Sequence, residues 1–370
     1  MSIRIAVIMA GGSGERFWPL SRKHRPKQLL KLTESDESLL RQAVSRIEPL
    51  IPPDRIFIVT AAPLQETIRR SDAGVPATNV LAEPCKRNTA GCLVYAAAQM
   101  MARFENDGAG VTMAVLTADH LISNAARFRA TVETAMEAAE GERALGVIGV
   151  IPTRAETGYG YIEIPEGAER LPYGQGDQRV YPVRGFREKP GRQTAEEFIA
   201  TERFFWNSGM FFWTLPVFLD ELDHASPPHA RAARELAEAM KRNEEKKVNH
   251  IFEALPDISI DYALMEKARR VVMARAAFGW DDVGAWDSLD RTRPRDADGN
   301  VAIGDPVLID TKDCIIYNEP GADEMAVVAI GVENLAIIVS SDGVLVVPKH
   351  RAQDVRQAVS KLKESKAAQV

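Results

Sequence analysis

The stretch Ile3-Arg4-Ile5-Ala6-Val7-Ile8-Met9-Ala10-Gly11-Gly12-Ser13-Gly14-Glu15-Arg16 decides how the rest of the chain is read. Its first eight residues form a short apolar run, which predicts a buried strand over 3–10. Glycines follow at once. Glycine reaches positive φ freely and lets backbone N–H groups approach an anion closely. In open α/β sheets ligands bind beyond the carboxyl ends of the strands. The turn is therefore a candidate phosphate loop, with Arg16 and Lys27 offering side-chain charge to the same anion. Taken alone, a glycine-rich turn is equally well a plain strand-to-helix connection. Two nucleotide loops are excluded by spacing. Phe17 stands where a dinucleotide fingerprint has its third glycine, and no Gly-Lys-Ser/Thr closes a Walker A loop.

Outward from this point, apolar runs recur at 55–61, 112–117 and 145–151. A helix is predicted around 39–47. Another is predicted over 89–104, where Ala90, Val94, Ala97 and Met101 share one face. Strands alternating with helices predict an α/β fold with a Rossmann-like, mostly parallel sheet and flanking helices. Residues 158–187 are rich in Gly, Pro, Tyr and charge, with short β-like pieces, and read as an excursion from that sheet, a hairpin or lid over a site. Residues 198–222 and 229–255 return to helices and a strand. The stretch 291–300, dense in Arg, Asp, Pro and Gly, reads as a linker. Short β runs follow at 301–303, 306–309, 314–317, 325–330, 335–339 and 343–347. They predict a small β domain whose regular rungs resemble a left-handed β-helix. A helix over 351–363 comes last, with Val355, Val359 and Leu362 on one side. The expected domains are a catalytic one over 1–290 and a β-rich one with its terminal helix over 301–370.

A length of 370 residues suits two domains. The net charge of -6 lacks the excess of base expected of a nucleic-acid binder, yet allows a local basic pocket for a small anion. The cysteines Cys85, Cys92 and Cys314 form no C-x-x-C pair and no disulfide framework, which predicts a reduced, cytoplasmic protein. Neither a secretory leader nor a membrane-spanning run is present, so no membrane partner is expected.

Candidate acids lie far apart in the chain. Asp119-His120 follows the run 112–117, and Asp281-Asp282-Val283-Gly284 follows Phe278-Gly279-Trp280. An acid at a strand's carboxyl end can hold a metal or cap the next helix, and an acid pair among glycines can be a turn. Glu188-Lys189-Pro190, taken alone, reads as solvated surface charge.

Residues Gly11 to Leu20, then Pro26-Lys27, are similar to the N-terminal signature of the nucleoside-diphosphate-sugar pyrophosphorylases, G-G-x-G-x-R-(L/F)-x-P-L followed by P-K. With Trp18, Ser21 and Pro26-Lys27-Gln28, the stretch resembles the mannose-1-phosphate guanylyltransferase branch. This resemblance implies the nucleotide-diphospho-sugar transferase fold, GTP and mannose 1-phosphate as substrates, and Mg²⁺ as cofactor. It implies that Ala10, Gly11, Gly12 and Gly14 cradle the nucleotide while Arg16 and Lys27 hold its triphosphate. Asp119, and Asp282 of the W-x-D-V-G motif, would be the metal ligands. Asp281 falls at the variable position. Glu83-Pro84-Cys85-Lys86-Arg87-Asn88-Thr89-Ala90 resembles the E-P-x-x-R-N-T-A segment, implying that Glu83, Asn88 and Thr89 lie on the base and ribose side. The E-K-P match implies Lys189 on the sugar phosphate and Glu188 on sugar hydroxyls. Gly158, Tyr159 and Gly160 of E-T-G-Y-G-Y-I, and Asn207 of W-N-S-G-M-F, would line the sugar. Ser259-Ile260-Asp261-Tyr262 resembles a further signature, in which Asp261 shapes the pocket or only caps a helix.

The resemblance runs from about residue 3 to 290. One departure is Thr117, where the family has proline before A-D-H. Many members carry an added sugar-phosphate isomerase domain, for which this chain has no room, so a single activity is expected; rung-like β domains often pair, so a homodimer is expected too. The same chemistry on another base or sugar, and a non-catalytic nucleotide-sugar sensor, remain the alternatives.

Overall fold

The apolar run that opens the chain is strand β1, Ile3–Met9. In the computed structural model, which describes residues 2–12, 14–319 and 325–370, it lies inside a ten-stranded sheet. The other strands are β2 (Ile56–Ala61), β3 (Val80–Glu83), β4 (Val111–Thr117), β5 (Leu145–Val150), β6 (Gly160–Glu163), β7 (Val180–Pro182), β8 (Gly185–Glu188), β9 (Phe204–Thr214) and β10 (Val271–Arg275). The order is β3-β2-β1-β4-β9-β5-β10-β7, with β6 pairing to β9 and β8. Strands β1 to β5 and β10 all run the same way, and β9 is inserted antiparallel between β4 and β5. Ile5, Ala6, Val7 and Ile8 are completely buried. Both faces of the strand are covered, so its sequence is continuously apolar rather than alternating.

The chain forms two compact units. The first holds Met1–Ala10, Ala43–Thr117 and Ile122–Trp280, and the second Gly11–Gln42, Ala118–Leu121 and Asp281–Val370. The first unit is built on the sheet. Its helix Asn88–Arg103 buries nearly all its alanines and packs on the alanine-rich helix Pro227–Lys241. Residues 158–187 do not stand apart from the sheet as the sequence reading expects. β6 pairs with β9 and β8, and β7 pairs with β10, so these short strands extend the sheet and cover edges that would otherwise be unpaired.

In the second unit, Val301–Ile303 pairs parallel with Ile315–Asn318, and that strand pairs parallel with Leu335–Val339. Val307–Ile309 pairs parallel with Val328–Ile330. These are the expected rungs. Val344–Pro348 departs from them by pairing antiparallel with Leu335–Val339. The buried Asn300 side chain pins one corner, donating to Thr311 O at 2.8 Å and accepting from Cys314 N at 3.0 Å. The terminal helix is Val355–Glu364, with Val355 and Val359 buried. The core of this unit mixes Phe17, Leu20 and Leu30 with Val283, Trp286, Ile315, Tyr317 and Ile338. The candidate phosphate-loop segment and the β rungs therefore share one hydrophobic core. Among the described residues no helix is long and apolar enough to cross a membrane.

Candidate active site

The glycine-loop segment, Lys27 and both candidate metal ligands lie in the second unit. Lys27 is nearly buried. Its Nζ donates to Asp119 Oδ2 at 2.9 Å and to the backbone oxygen of Asp282 at 2.8 Å, so one ammonium joins the two aspartate segments. Desolvation alone would raise the Asp119 carboxyl. The Lys27 charge and hydrogen bond, aided by His120, outweigh it and hold the group below its ordinary value. Gly14 has φ +63°, and a Cβ there would lie 2.3 Å from Lys27 Cβ, so only glycine lets the loop pack against this lysine. Ser21 Oγ fixes the loop by donating to Gly14 O at 2.7 Å. Around Gly12 the space is open. Ser13 lies outside the described residues.

Arg16 Nη1 donates to Gly284 O at 3.3 Å, while its Nε is buried without a hydrogen bond. Desolvation, then the nearby Arg356, lowers this guanidinium, and Asp282 and Asp287 only partly offset them. It is a cation with spare capacity for an anion. Gly284 leaves room for Asp282, whose Oδ2 a Cβ there would approach to 2.8 Å. Asp281 is otherwise engaged. It accepts from Arg291 Nε at 2.7 Å and from Val283 N at 2.8 Å, holding the turn that presents Asp282.

A second cluster lies in the first unit. Strand pairing sets Gly160 opposite Glu188, where a Cβ on residue 160 would be 2.5 Å from Glu188 Oε2. Lys189 Nζ donates to Glu188 Oε1 at 2.6 Å. A register shift in β9 between Asn207 and Phe211, with Gly209 at φ +69°, re-aims Asn207. Asn207 Nδ2 then donates to Asp261 Oδ1 at 2.9 Å. Desolvation, followed by the Glu188 charge, raises Asp261 to about 6 against the pull of Asn207 and Lys189. Tyr159 stands edge-on to Trp206 and Trp280, and Arg154 lies over both Tyr159 and Trp206.

Comparison with known proteins divides the chain by sequence rather than by these units. The family model described as nucleotidyl transferase matches residues 5–298. This chain belongs to the nucleotidyl transferase family. A second model, described as MannoseP isomerase/GMP-like beta-helix domain, matches residues 304–362. A Vibrio cholerae protein named putative mannose-1-phosphate guanylyltransferase is 36% identical, over 99% of this chain and 76% of its own length. Alginate biosynthesis protein AlgA of Pseudomonas aeruginosa is also 36% identical, over 97% of this chain and 72% of its own. A solved structure from Thermus thermophilus, described as mannose-1-phosphate geranyltransferase, has 34% identity and a TM-score of 0.84, covering 98% of this chain and 99% of that one.

In this nucleotidyltransferase Lys27, Asp119 and Asp282 come together, with Arg16 bonded to Gly284 beside Asp282. Gly160, Glu188, Lys189 and Asn207 form the other group, where Lys189 N bonds Tyr159 O at 3.2 Å. Gly158 N donates to Glu156 Oε1 at 3.1 Å. The residues 83–89 divide. Glu83 is buried in a cavity of about 830 Å³ with Gln65, Tyr95, Gln99 and Arg103. Asn88 opens a helix at φ +55°, and Thr89 Oγ1 accepts from Ile260 N at 2.8 Å, bracing the Asp261 turn. Ala10 is held on β2, donating to Val59 O and accepting from Thr60 Oγ1. Of the two readings for Asp261, pocket or cap, the bond from Asn207 places it with the cluster, and Arg154 carried no signal in the sequence.

Proposed function

We propose that the chain transfers GMP from GTP to α-D-mannose 1-phosphate, giving GDP-mannose and pyrophosphate, with Mg²⁺. The observation that carries this reading is the Lys27 ammonium bonded to Asp119 and to the Asp282 backbone. Two carboxylate-bearing residues gathered around one cationic group, one of them held ionised, fit a hard divalent ion that also binds phosphate oxygens and water. Mg²⁺ held by Asp119 and Asp282 would supply charge neutralisation at those oxygens.

The remaining work falls to the chain's own groups. The glycine loop offers backbone N–H groups to the triphosphate. Arg16 and Lys27 stabilise the charge that develops on pyrophosphate as it leaves. The attacking oxygen belongs to a phosphate monoester with a second pKa of about 6, so it is ionised at neutral pH and needs no general base. Attack on the α-phosphorus in line with the leaving group then depends on positioning. Lys189 binds the sugar phosphate, and Glu188, Asn207 and Asp261 accept or donate to sugar hydroxyls. We read Glu83 as lying on the base side, where the N1–H and N2 amine of guanine would draw it into its ionised, acceptor-only form against the burial that favours the neutral one.

The test is Lys27→Ala in the purified chain, with folding checked by thermal unfolding. Loss of one preorganised cation at the reacting phosphates should lower turnover by about 10²–10³-fold. Turnover near that of the parent would remove the proposed role of this cluster.

A further inference from the structure

Arg179 and Arg275 face each other across an antiparallel pair. The β10–β7 register sets Met273 against Tyr181 and Ala274 against Val180, and Arg275 N donates to Arg179 O at 2.8 Å. Residues directly opposite in such a pair project from the same face, and like charges there destabilise the sheet. Among the described residues neither guanidinium has a carboxylate partner, and Arg275 Nε is buried without a hydrogen bond. Both line a cavity of about 650 Å³ together with Arg203, Tyr181, Ile151 and Ile164.

The surroundings add positive charge. Arg203 Nη1 lies 3.7 Å from Glu163, a buried carboxylate also claimed by Arg184 at 3.1 Å and Arg187 at 3.4 Å. Glu202 is the carboxylate among the lining residues. None of that lining belongs to the Glu188–Lys189–Asn207–Asp261 cluster. An anion held between the two guanidinium groups would neutralise their repulsion. Guanidinium forks match phosphate in bidentate geometry, and the volume is that of a small-molecule site.

We propose that this cavity is a second, separate anion site that takes a phosphorylated small molecule. The phosphate sits on Arg179 and Arg275, and the carbon skeleton lies against Ile151, Ile164 and Tyr181.

The experiment is calorimetric and thermal-shift titration of the full chain, without Mg²⁺, using inorganic phosphate and glucose 6-phosphate as probes. The parent should bind at least one probe saturably. The double variant Arg179→Gln/Arg275→Gln should bind it at least about tenfold more weakly. Turnover without added probe should stay within about twofold, since neither residue belongs to the transfer machinery. Arg179 is exposed, so Arg179→Gln alone tests the site without threatening the fold. Relief of repulsion should raise its Tm in phosphate-free buffer, and its phosphate-induced Tm rise should shrink. Tighter binding of glucose 6-phosphate is the expected result, and equal binding of the two probes would overturn the packing of a carbon skeleton on Ile151, Ile164 and Tyr181. Equal affinities in parent and variants, or no saturable binding of either probe by the parent, would overturn the proposal.

Discussion

Burial pushes the Glu83 carboxyl up to about 8 from an ordinary 4.5. Its folded value lies above its unfolded one, so the neutral form favours the fold. That contribution is complete below about pH 4.5 and is lost as pH rises to about 8. Glu83→Gln should remove this dependence, so the variant gains Tm relative to the parent across that window. Parallel pH profiles of thermal unfolding would contradict it. The same variant should raise KM for GTP and narrow the preference for GTP over ATP, because an amide cannot accept from both guanine donors. Asp119 was legible in the sequence as an acid at a strand end, and Lys27 and Asp282 through the motifs that carry them. Asp261 was legible only as a pocket acid or a cap, because its partner Asn207 lies 54 residues away and nothing local decides between the two.

The glycine loop shows how an element fixes the geometry of a site. An alanine at 14 would sit 2.3 Å from Lys27 Cβ and 2.8 Å from its backbone nitrogen, at a φ that disfavours it. The left-handed conformation and the overlap together should cost about 2–5 kcal/mol. Gly14→Ala is therefore expected to lower stability in denaturant unfolding and to lower turnover by displacing Lys27. A variant as stable as the parent would show that the loop relaxes freely. The longer strands and helices were readable from apolar periodicity, as with Leu39–Ile47. The short strands β6 to β8 showed only as short β-like pieces. They hold three or four residues each, and their places are set by pairing, β6 with Phe204–Trp206, β7 with Val272–Ala274 and β8 with β6.

At the scale of the whole molecule, the β rungs and terminal helix complete the core beneath the phosphate-loop segment. Phe17 and Trp286 are fully buried, with ring centroids 5.1 Å apart, and Tyr317 packs on Trp286 at 5.5 Å. Removing residues 301–370 should expose both rings, open the 11–42 segment to limited proteolysis and abolish turnover. A truncated chain that keeps turnover would contradict this. The sequence signals an α/β part followed by a β part. It does not reveal that residues 11–42 and 281–370 form one unit, because contacts such as Trp286 Nε1 to Trp18 O join residues 268 apart.

The most direct measurement is pyrophosphate release by the purified chain with Mg²⁺, mannose 1-phosphate and each nucleoside triphosphate in turn. Release with GTP far above the others, and lost when mannose 1-phosphate is omitted, is the expected result. Comparable release with another triphosphate, or release that does not depend on the sugar phosphate, would contradict guanylyl transfer to mannose 1-phosphate.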